Sequence, residues 1–196
     1  MKIIVIGSTG TIGSAVVKAL AGHEVVGLHR KSTPAIDIEK PETIEAAFEQ
    51  IGKVDAVISC TGTGAFAPLD KLTDADFEKS LRSKLMGQVN VIRHAIKHVN
   101  DHGSITVTSG SMAREPMPGG AAISMINAGI EGFAIGAALE APRGIRINAV
   151  APPWIAETMA AMKMDASNGQ PAEAAAKVYA GVVAGNQRGQ VVDTRS

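Results

Sequence analysis

The first thirteen residues restrict the fold of this chain more than any other stretch. An apolar run, Ile3–Ile6, is typical of a buried strand, and it is followed by a glycine-rich turn and then by a helix-like segment from Ser14. Strand, glycine turn and helix in this order form a phosphate site, because glycines let the backbone approach the anion and the first helical N–H groups are free. The turn predicts dinucleotide binding, and the alternative is a tight turn without a ligand. The predicted contacts are Gly7, Ser8, Thr9, Gly10, Thr11, Ile12 and Gly13.

Composition favours one globular domain with a small-molecule ligand. The chain has 196 residues, of which 45% are hydrophobic and 19% are charged, so we predict a single domain over residues 1–196. The formal net charge is zero and no basic stripe occurs, so we expect neither a nucleic-acid partner nor a membrane partner. The apolar stretch Met117–Leu139 contains Glu131, which favours a buried helix over a membrane span.

Cysteine and histidine usage gives two further expectations. Cys60 is the only cysteine, and a strand that begins at Lys2 leaves no room for a signal peptide, so we expect a cytoplasmic protein. His94, His98 and His102 are spaced four residues apart, but no cysteine or carboxylate clusters with them. We interpret them as a solvated helix end and predict no metal site.

Strand-like and helix-like segments alternate along the chain. This alternation predicts a doubly wound, three-layer α/β (Rossmann) fold with a seven-stranded parallel sheet. The predicted strands are Lys2–Ile6, Glu24–Leu28, Ala35–Ile38, Asp55–Ser59, Ser104–Thr108, Ile145–Val150 and Gln190–Val192. The predicted helices are Thr11–Ala21, Pro41–Ile51, Asp74–Val99, Gly120–Glu140 and Ala172–Ala184. Residues 151–171 are either a lid over the ligand crevice or a surface helix packed by methionines.

The residues after the second strand indicate which dinucleotide is bound. In NAD-binding versions of this motif, an acidic residue about 20 positions after the glycines binds the ribose 2′-hydroxyl. Here the strand is followed by His29-Arg30-Lys31, and no acidic residue occurs between Glu24 and Asp37. Arg30, aided by His29 or Lys31, would hold a 2′-phosphate, so NADP(H) is favoured over NAD(H). The alternative is a solvated basic turn.

Together these segments resemble the short-chain dehydrogenase/reductase family over almost the whole chain. The segments that carry the resemblance are Asp37-Ile38, Ser59-Cys60-Thr61-Gly62, the strand from Gly103 to Ser109, Gly144–Pro152 and Gly189–Asp193. The resemblance implies further cofactor contacts at Asp37, Ile38, Cys60, Thr61, Gly62, Asn127 and Pro152. It also implies a homodimer or homotetramer that associates through the two longest helices.

The catalytic positions of that family carry different residues here. The family reduces a carbonyl with a tyrosine that donates the proton and a lysine four residues later that lowers its pKa. These two positions fall on Ile123 and Asn127, the family's serine falls on Gly110, and its asparagine falls on Lys84. An isoleucine cannot donate a proton, and the only tyrosine in the chain is Tyr179.

Other polar residues in these segments could take over the chemistry. Lys84 could stabilise an oxyanion, unless it is an ordinary surface lysine, and Ser109 or Ser111 could bind the substrate oxygen. Three functions remain open: an NADP(H)-dependent oxidoreductase that acts on a small carbonyl or alcohol with a non-standard site, a non-catalytic NADP(H)-binding sensor or assembly module, and a structural domain without nucleotide. Six methionines could line an adaptable apolar pocket or pack in the core: Met112, Met117, Met125, Met159, Met162 and Met164.

Overall fold

A six-stranded parallel sheet organises the computed structural model, which describes residues 1–195. The strands lie in the order β2-β1-β3-β4-β5-β6. They are β1 Lys2–Ile6, β2 Glu24–Leu28, β3 Val54–Ser59, β4 Val99–Thr108, β5 Arg146–Ala151 and β6 Val191–Asp193. The α-helices are α1 Thr11–Ala19, α2 Pro41–Ile51, α3 Asp74–Ser80, α4 Gly87–Ala95, α5 Ala121–Glu140, α6 Ala156–Ala161 and α7 Ala172–Ala184.

Strand alternation produces two hydrophobic cores, one on each face of the sheet. Side chains of successive strand residues point to opposite faces. In β1, Ile3 and Val5 therefore pack in one core, and Ile4 and Ile6 pack in the other. The first core contains residues of α1 and α7, including Val16, Leu20, Tyr179 and Val182. The second contains residues of α2, α4 and α5, including Ile44, Phe48, Ile92, Ile130 and Ala134. The result is the three-layer arrangement that the alternating pattern predicts.

The prediction of seven strands was wrong, because Ala35–Ile38 is not a strand. A parallel neighbour of β2 would need a crossover of a dozen or more residues, and the chain between Leu28 and Ala35 is much shorter. The backbone N–H of Ile36 instead donates to the carbonyl of His29 at 3.1 Å, and that of Asp37 donates to Thr43 Oγ1 at 2.9 Å. The segment forms a loop that leaves β2 at the edge of the sheet.

The strand order places a ligand crevice above β1 and β3. The chain passes from β1 to β2 on one side and then returns to β3 on the other side. In doubly wound sheets, ligands bind outside the carboxyl ends of the strands at the point where this reversal occurs. The loops that follow Ile6 and Ser59 meet there, since both residues end neighbouring parallel strands.

The predicted helix Asp74–Val99 is divided into three parts. It begins with a capping box, in which Thr73 and Asp76 bind each other's backbone N–H groups. A π-helical stretch, Leu81–Met86, separates α3 from α4, and the helical structure ends at Ala95. Widened turns of this kind are frequent at functional sites. Lys84 lies on this stretch.

The structure shows where two segments lie: the long apolar helix α5 and residues 151–171. By length and composition α5 could cross a membrane. In this fold its buried residues, among them Ile126, Ile130 and Ala134, lie in the domain interior. Residues 151–171 contain α6, and Ile155 forms a single parallel bridge with Gln170.

The only tyrosine stabilises the core. Tyr179 is fully buried, and its hydroxyl lies 2.8 Å from Thr108 Oγ1, which itself donates to the carbonyl of Ser59 at 2.6 Å. Because Thr108 has only one hydroxyl proton, the Tyr179 O–H is the donor between the two hydroxyls.

We expect Tyr179→Phe to lower the free energy of unfolding by about 1 kcal/mol, because one buried hydrogen bond is lost while Thr108 keeps its own acceptor. Thermal unfolding would measure a decrease in Tm of about 2–4 °C. Oxidoreductase turnover should be retained, and a loss of turnover in a folded Tyr179→Phe protein would contradict a purely structural role.

Candidate active site

The glycine turn after β1 is packed so tightly that side chains are excluded from it. Gly7 has φ +81°, and a Cβ there would lie 2.8 Å from the carbonyl oxygen of Cys60. A Cβ at Gly13 would overlap the carbonyl oxygen of Gly7. Gly7 is therefore required for its backbone conformation. Gly13 is required because the start of α1 packs directly against the turn.

The start of α1 offers free backbone donors to the crevice. Its N-cap residue is Gly10, no side chain among residues 1–195 caps it, and its first turn contains no acidic residue. The first N–H groups of a helix lack intrahelical acceptors and carry a partial positive charge. This geometry fits an anionic group such as a pyrophosphate.

Two cavities meet at the carboxyl edge of the sheet. The first, which we call the Arg30 cavity, has a volume of about 460 Å³ and lies above β1 and β2. The second, the Lys84 cavity, has a volume of about 360 Å³ and lies between β4, α5 and residues 152–162. Both are lined by Cys60, Thr61, Gly62 and Thr63, so they form one cleft that continues across the strand ends.

Most of the predicted cofactor and catalytic residues line one cavity or the other. Those at the Arg30 cavity are Gly7, Thr9, Gly10, His29, Arg30, Asp37 and Ile38. Those at the Lys84 cavity are Ile12, Lys84, Ser109, Ser111, Asn127 and Pro152. Four predicted residues line neither: Ser8 binds the Leu28 carbonyl, Thr11 faces a groove between α1 and α7, Gly13 lies beneath the turn, and Lys31 is exposed.

The Arg30 cavity combines basic groups with carboxylates that already have hydrogen-bond donors. Arg30 and Lys79 both line it. Glu39 also lines it, but its carboxylate accepts a hydrogen bond from Arg82 Nε at 3.0 Å, and this bond lowers the Glu39 pKa. Asp37 lines the cavity too, and its Oδ1 accepts a hydrogen bond from the backbone N–H of Glu39 at 3.1 Å. Because both carboxylates already have donors, Arg30 and Lys79 can hold a phosphate there.

Lys84 is the one charged side chain at the Lys84 cavity within the described residues. Its ammonium donates to the carbonyl of Ser109 at 2.9 Å, and burial lowers its pKa to about 8. The backbone of Gly62 lies directly against it, since a Cβ on Gly62 would come within 2.9 Å of Lys84 Cα. The lysine is thus held at the bottom of a cleft rather than on a surface.

The two candidate serines differ in availability. Ser109 Oγ already donates to Glu131 Oε1 at 2.9 Å, and the other carboxylate oxygen of Glu131 accepts from Arg114 at 2.6 Å. Ser111 Oγ makes no hydrogen bond with any other described residue, although its residue is largely buried and lines the cavity. Ser111 is therefore the hydroxyl that remains available to a ligand.

Asn127 carries an unsatisfied polar atom into the same cavity. The residue is 1% exposed, its Oδ1 is buried without a partner among residues 1–195, and its Nδ2 packs against Gly110. A buried acceptor that lacks a donor costs about 1–3 kcal/mol. A ligand with an N–H or O–H group at this point would recover that cost, so the residue fits a nicotinamide nucleotide.

Neither the thiol nor the phenol is suited to proton transfer here. Burial raises the pKa of Cys60 to about 12 and the pKa of Tyr179 well above its usual value. Among residues 1–195 no cluster of three or more His, Cys, Asp or Glu could hold a metal. His94 instead approaches Glu45, and His98 stacks on Phe48.

The remaining walls of the Lys84 cavity are apolar. Phe66 and Trp154 meet edge to face with centroids 5.4 Å apart, and the Trp154 N–H donates to Met117 Sδ at 3.0 Å. Of the six methionines considered, Met112 and Met162 line the cavity. Residues 152–155 and Thr158 also line it, so the segment that contains α6 forms one wall of the cleft, and its role as a lid stays a prediction.

Sequence reasoning missed several residues that line the cleft, among them Lys79, Phe66 and Trp154. Lys79 lies near the end of α3, and its place in the cavity depends on how that helix packs beside the loop after β3. Phe66 and Trp154 lie in loops without periodicity and are far apart in the chain, so no local pattern predicts that the two rings meet.

Comparison with known proteins identifies several similar chains. The family model described as Enoyl-(Acyl carrier protein) reductase matches residues 12–188. Carbonyl reductase family member 4 of Danio rerio is 31% identical over 182 residues, which cover 81% of this chain and 77% of that protein.

Similar folds occur among solved structures. The crystal structure of the protein lin1944 from Listeria innocua has 38% sequence identity and a TM-score of 0.93, with 98% of both chains covered. A small-chain dehydrogenase in complex with NADPH has 24% identity and a TM-score of 0.86, with 98% of this chain and 95% of that chain covered. At this identity the second similarity shows the fold alone.

Proposed function

This chain belongs to the short-chain dehydrogenase/reductase family of NAD(P)-dependent oxidoreductases, and we propose that it is an NADP(H)-dependent member that acts on a small carbonyl or alcohol with a non-standard active site. The observation that carries this proposal is the continuous cleft, in which a basic cavity with Arg30 joins an apolar cavity with Lys84. A free-standing structural role would not require free helix donors, a basic phosphate pocket and a buried ammonium in one cleft.

The cofactor residues divide along the cleft by their chemistry. The glycine turn and the start of α1 would hold the pyrophosphate, Arg30 and Lys79 would hold a 2′-phosphate, and Asn127 would accept a hydrogen bond from the nicotinamide half. When bound, the cofactor supplies or accepts the hydride. In a relative that binds NADPH, such as the small-chain dehydrogenase above, the same fold holds this cofactor.

Lys84 and Ser111 take the catalytic roles in this proposal. Reduction of a carbonyl places negative charge on its oxygen, and a fixed, desolvated ammonium stabilises that charge. Lys84 can also supply the proton, because its pKa of about 8 lies close to working pH. Ser111 would orient the oxygen by a hydrogen bond. Ile123 occupies the cavity wall and contributes only apolar contact.

Two measurements test the function. Titration with NADPH and NADP⁺, followed by nicotinamide fluorescence, should show saturable binding. NADPH oxidation should then be observed with members of a panel of aldehydes, ketones and quinones. Absence of binding at millimolar cofactor would overturn the proposal, and binding without turnover on the panel would favour a sensor or assembly module instead.

Cofactor preference gives a separate prediction. We expect Arg30→Ala to weaken NADPH binding about 10–100-fold, because a charged hydrogen bond worth about 1.5–3 kcal/mol is lost. NADH binding should change little, since NADH lacks the 2′-phosphate. Parallel fluorescence titrations measure both affinities. Lys31→Ala removes the same charge one residue away, outside the cavity lining, and is the matched control. An equal loss for NADH and NADPH would contradict a specific 2′-phosphate contact.

We further propose that the protein is cytoplasmic and forms a homodimer or homotetramer. Apolar side chains along α5 support association, since Phe133 and Ile135 are more than a third exposed and Leu139 is 82% exposed. Gly132 and Gly136 have open space around them and would permit close approach of a second helix. The proposed oligomer follows from the family resemblance and from this apolar face, whereas the proposed location follows from the single cysteine, Cys60, which suits a reducing compartment.

A further inference from the structure

The Lys84 cavity contains a positive charge without a counter-charge. None of the other side chains that line the cavity is ionised, because the Cys60 thiol has a pKa of about 12. No carboxylate among residues 1–195 lies within 4 Å of the Lys84 ammonium, and the buried Glu131 is already paired with Arg114. An unpaired buried charge is costly, and a ligand with one negative charge would offset that cost.

The hydrogen bonds of Lys84 indicate how many oxygens such a ligand presents. An ammonium has three donors, and the Ser109 carbonyl at 2.9 Å accepts one of them. Two donors remain for the cavity. They can bind two neighbouring oxygens of one ligand, one charged and one carbonyl, which is the arrangement at the head of a 2-oxo acid.

The other walls of the cavity determine which chemical groups the ligand can carry at the end away from Lys84. Its walls include Phe66, Met112, Ile123, Trp154 and Met162, and none of these side chains carries a charge. The cavity has a volume of about 360 Å³, and the nicotinamide half of the cofactor would occupy part of it beside Asn127, so the room that is left suits only a compact apolar side chain. A second charge on the ligand would be buried there without a partner.

We propose that the substrates of this site are apolar 2-oxo acids and the corresponding 2-hydroxy acids, with Lys84 bridging the carboxylate and the reacting oxygen. This inference rests on the proposed oxidoreductase function and narrows its substrate class. The reaction adds a hydride to the keto carbon and a proton to the keto oxygen, and NADPH is oxidised to NADP⁺. The carboxylate is unchanged, and Lys84 exchanges the proton with solvent between turnovers.

The test compares three compounds that share an isobutyl side chain: the 2-oxo acid, the methyl ketone and the saturated acid. Trp154 is the only tryptophan and lines the cavity, so its fluorescence reports binding without cofactor. We expect each acid to bind at least about tenfold more tightly than the methyl ketone. Lys84→Met should abolish that difference while NADPH affinity is kept. With NADPH present, kcat/KM for the 2-oxo acid should exceed that for the methyl ketone at least about tenfold.

The pH dependence provides an independent readout. Because the ammonium deprotonates as pH rises through about 8, affinity for the acids should fall about tenfold per pH unit above that value, while affinity for the methyl ketone stays constant. Equal or better binding of the methyl ketone, or a preference that survives Lys84→Met, would overturn the inference. If the acids bind more tightly than the methyl ketone but NADPH is not oxidised, the proposed reduction is overturned. The proposal that the cavity binds apolar carboxylic acids would then still be supported.

Discussion

Gly13→Ala is expected to abolish high-affinity NADPH binding. The added methyl group would overlap the Gly7 carbonyl oxygen, so either the turn or the start of α1 must move. Such a shift removes at least two charged hydrogen bonds to the pyrophosphate, worth about 3–6 kcal/mol together. The expected loss of affinity is therefore about 10²–10⁴-fold, measured by nicotinamide fluorescence. Overpacking should also lower the free energy of unfolding by about 1–3 kcal/mol.

A graded series separates this local effect from general unfolding. At Gly10 the added Cβ would lie 3.3 Å from the Gly7 carbonyl oxygen, so Gly10→Ala should weaken binding less than Gly13→Ala does. At Gly22 nothing lies within 4 Å, so Gly22→Ala should leave binding unchanged. Circular dichroism identifies which variants remain folded. Equal NADPH affinity in folded Gly13→Ala and Gly22→Ala proteins would contradict the phosphate-binding role of the turn.

The parts of the fold that depend on local pattern were predictable from the sequence. β1, β2, α2 and α7 have the predicted bounds, because apolar periodicity and turn residues act over a few positions. The false strand Ala35–Ile38 came from the same reasoning, since Ile36 and Ile38 alternate and are indeed buried. Their burial comes from a loop folded onto the core, and only the short connection from β2 distinguishes the two cases.

The candidate site was predictable where a residue follows a strand and unpredictable where loops converge. Arg30, Thr61 and Ser111 follow β2, β3 and β4, so topology alone brings them to one edge. The engagement of Ser109 by Glu131 could not be predicted, because it depends on a contact between residues 22 positions apart. The widened helical turn at Lys84 likewise has no sequence signature that we can identify.

Lys84→Met is expected to reduce turnover about 10²–10⁴-fold while leaving NADPH affinity near that of the unchanged protein. Methionine keeps the apolar stem and removes the ammonium that faces the cavity, so the loss should appear in kcat for a neutral ketone and in both kcat and KM for a 2-oxo acid. In the unchanged protein, kcat/KM for a neutral ketone should be constant below about pH 8 and fall above it, because the protonated lysine is the active form. Stopped-flow oxidation of NADPH measures both quantities.

Two further variants determine whether charge at this position is what matters. Lys84→Arg keeps a positive charge but replaces the compact ammonium with a larger guanidinium, so partial activity is expected. The decline in kcat/KM above pH 8 should disappear, because arginine does not titrate in that range. Lys71→Met removes a lysine whose side chain is 72% exposed and should have no effect on turnover.

Full activity of Lys84→Met would contradict the role of Lys84. Restored activity in a triple variant that also carries Ile123→Tyr and Asn127→Lys would show that this cleft accepts either arrangement, because the tyrosine would then donate the proton and the new lysine would supply the positive charge, two roles that Lys84 combines in the unchanged protein.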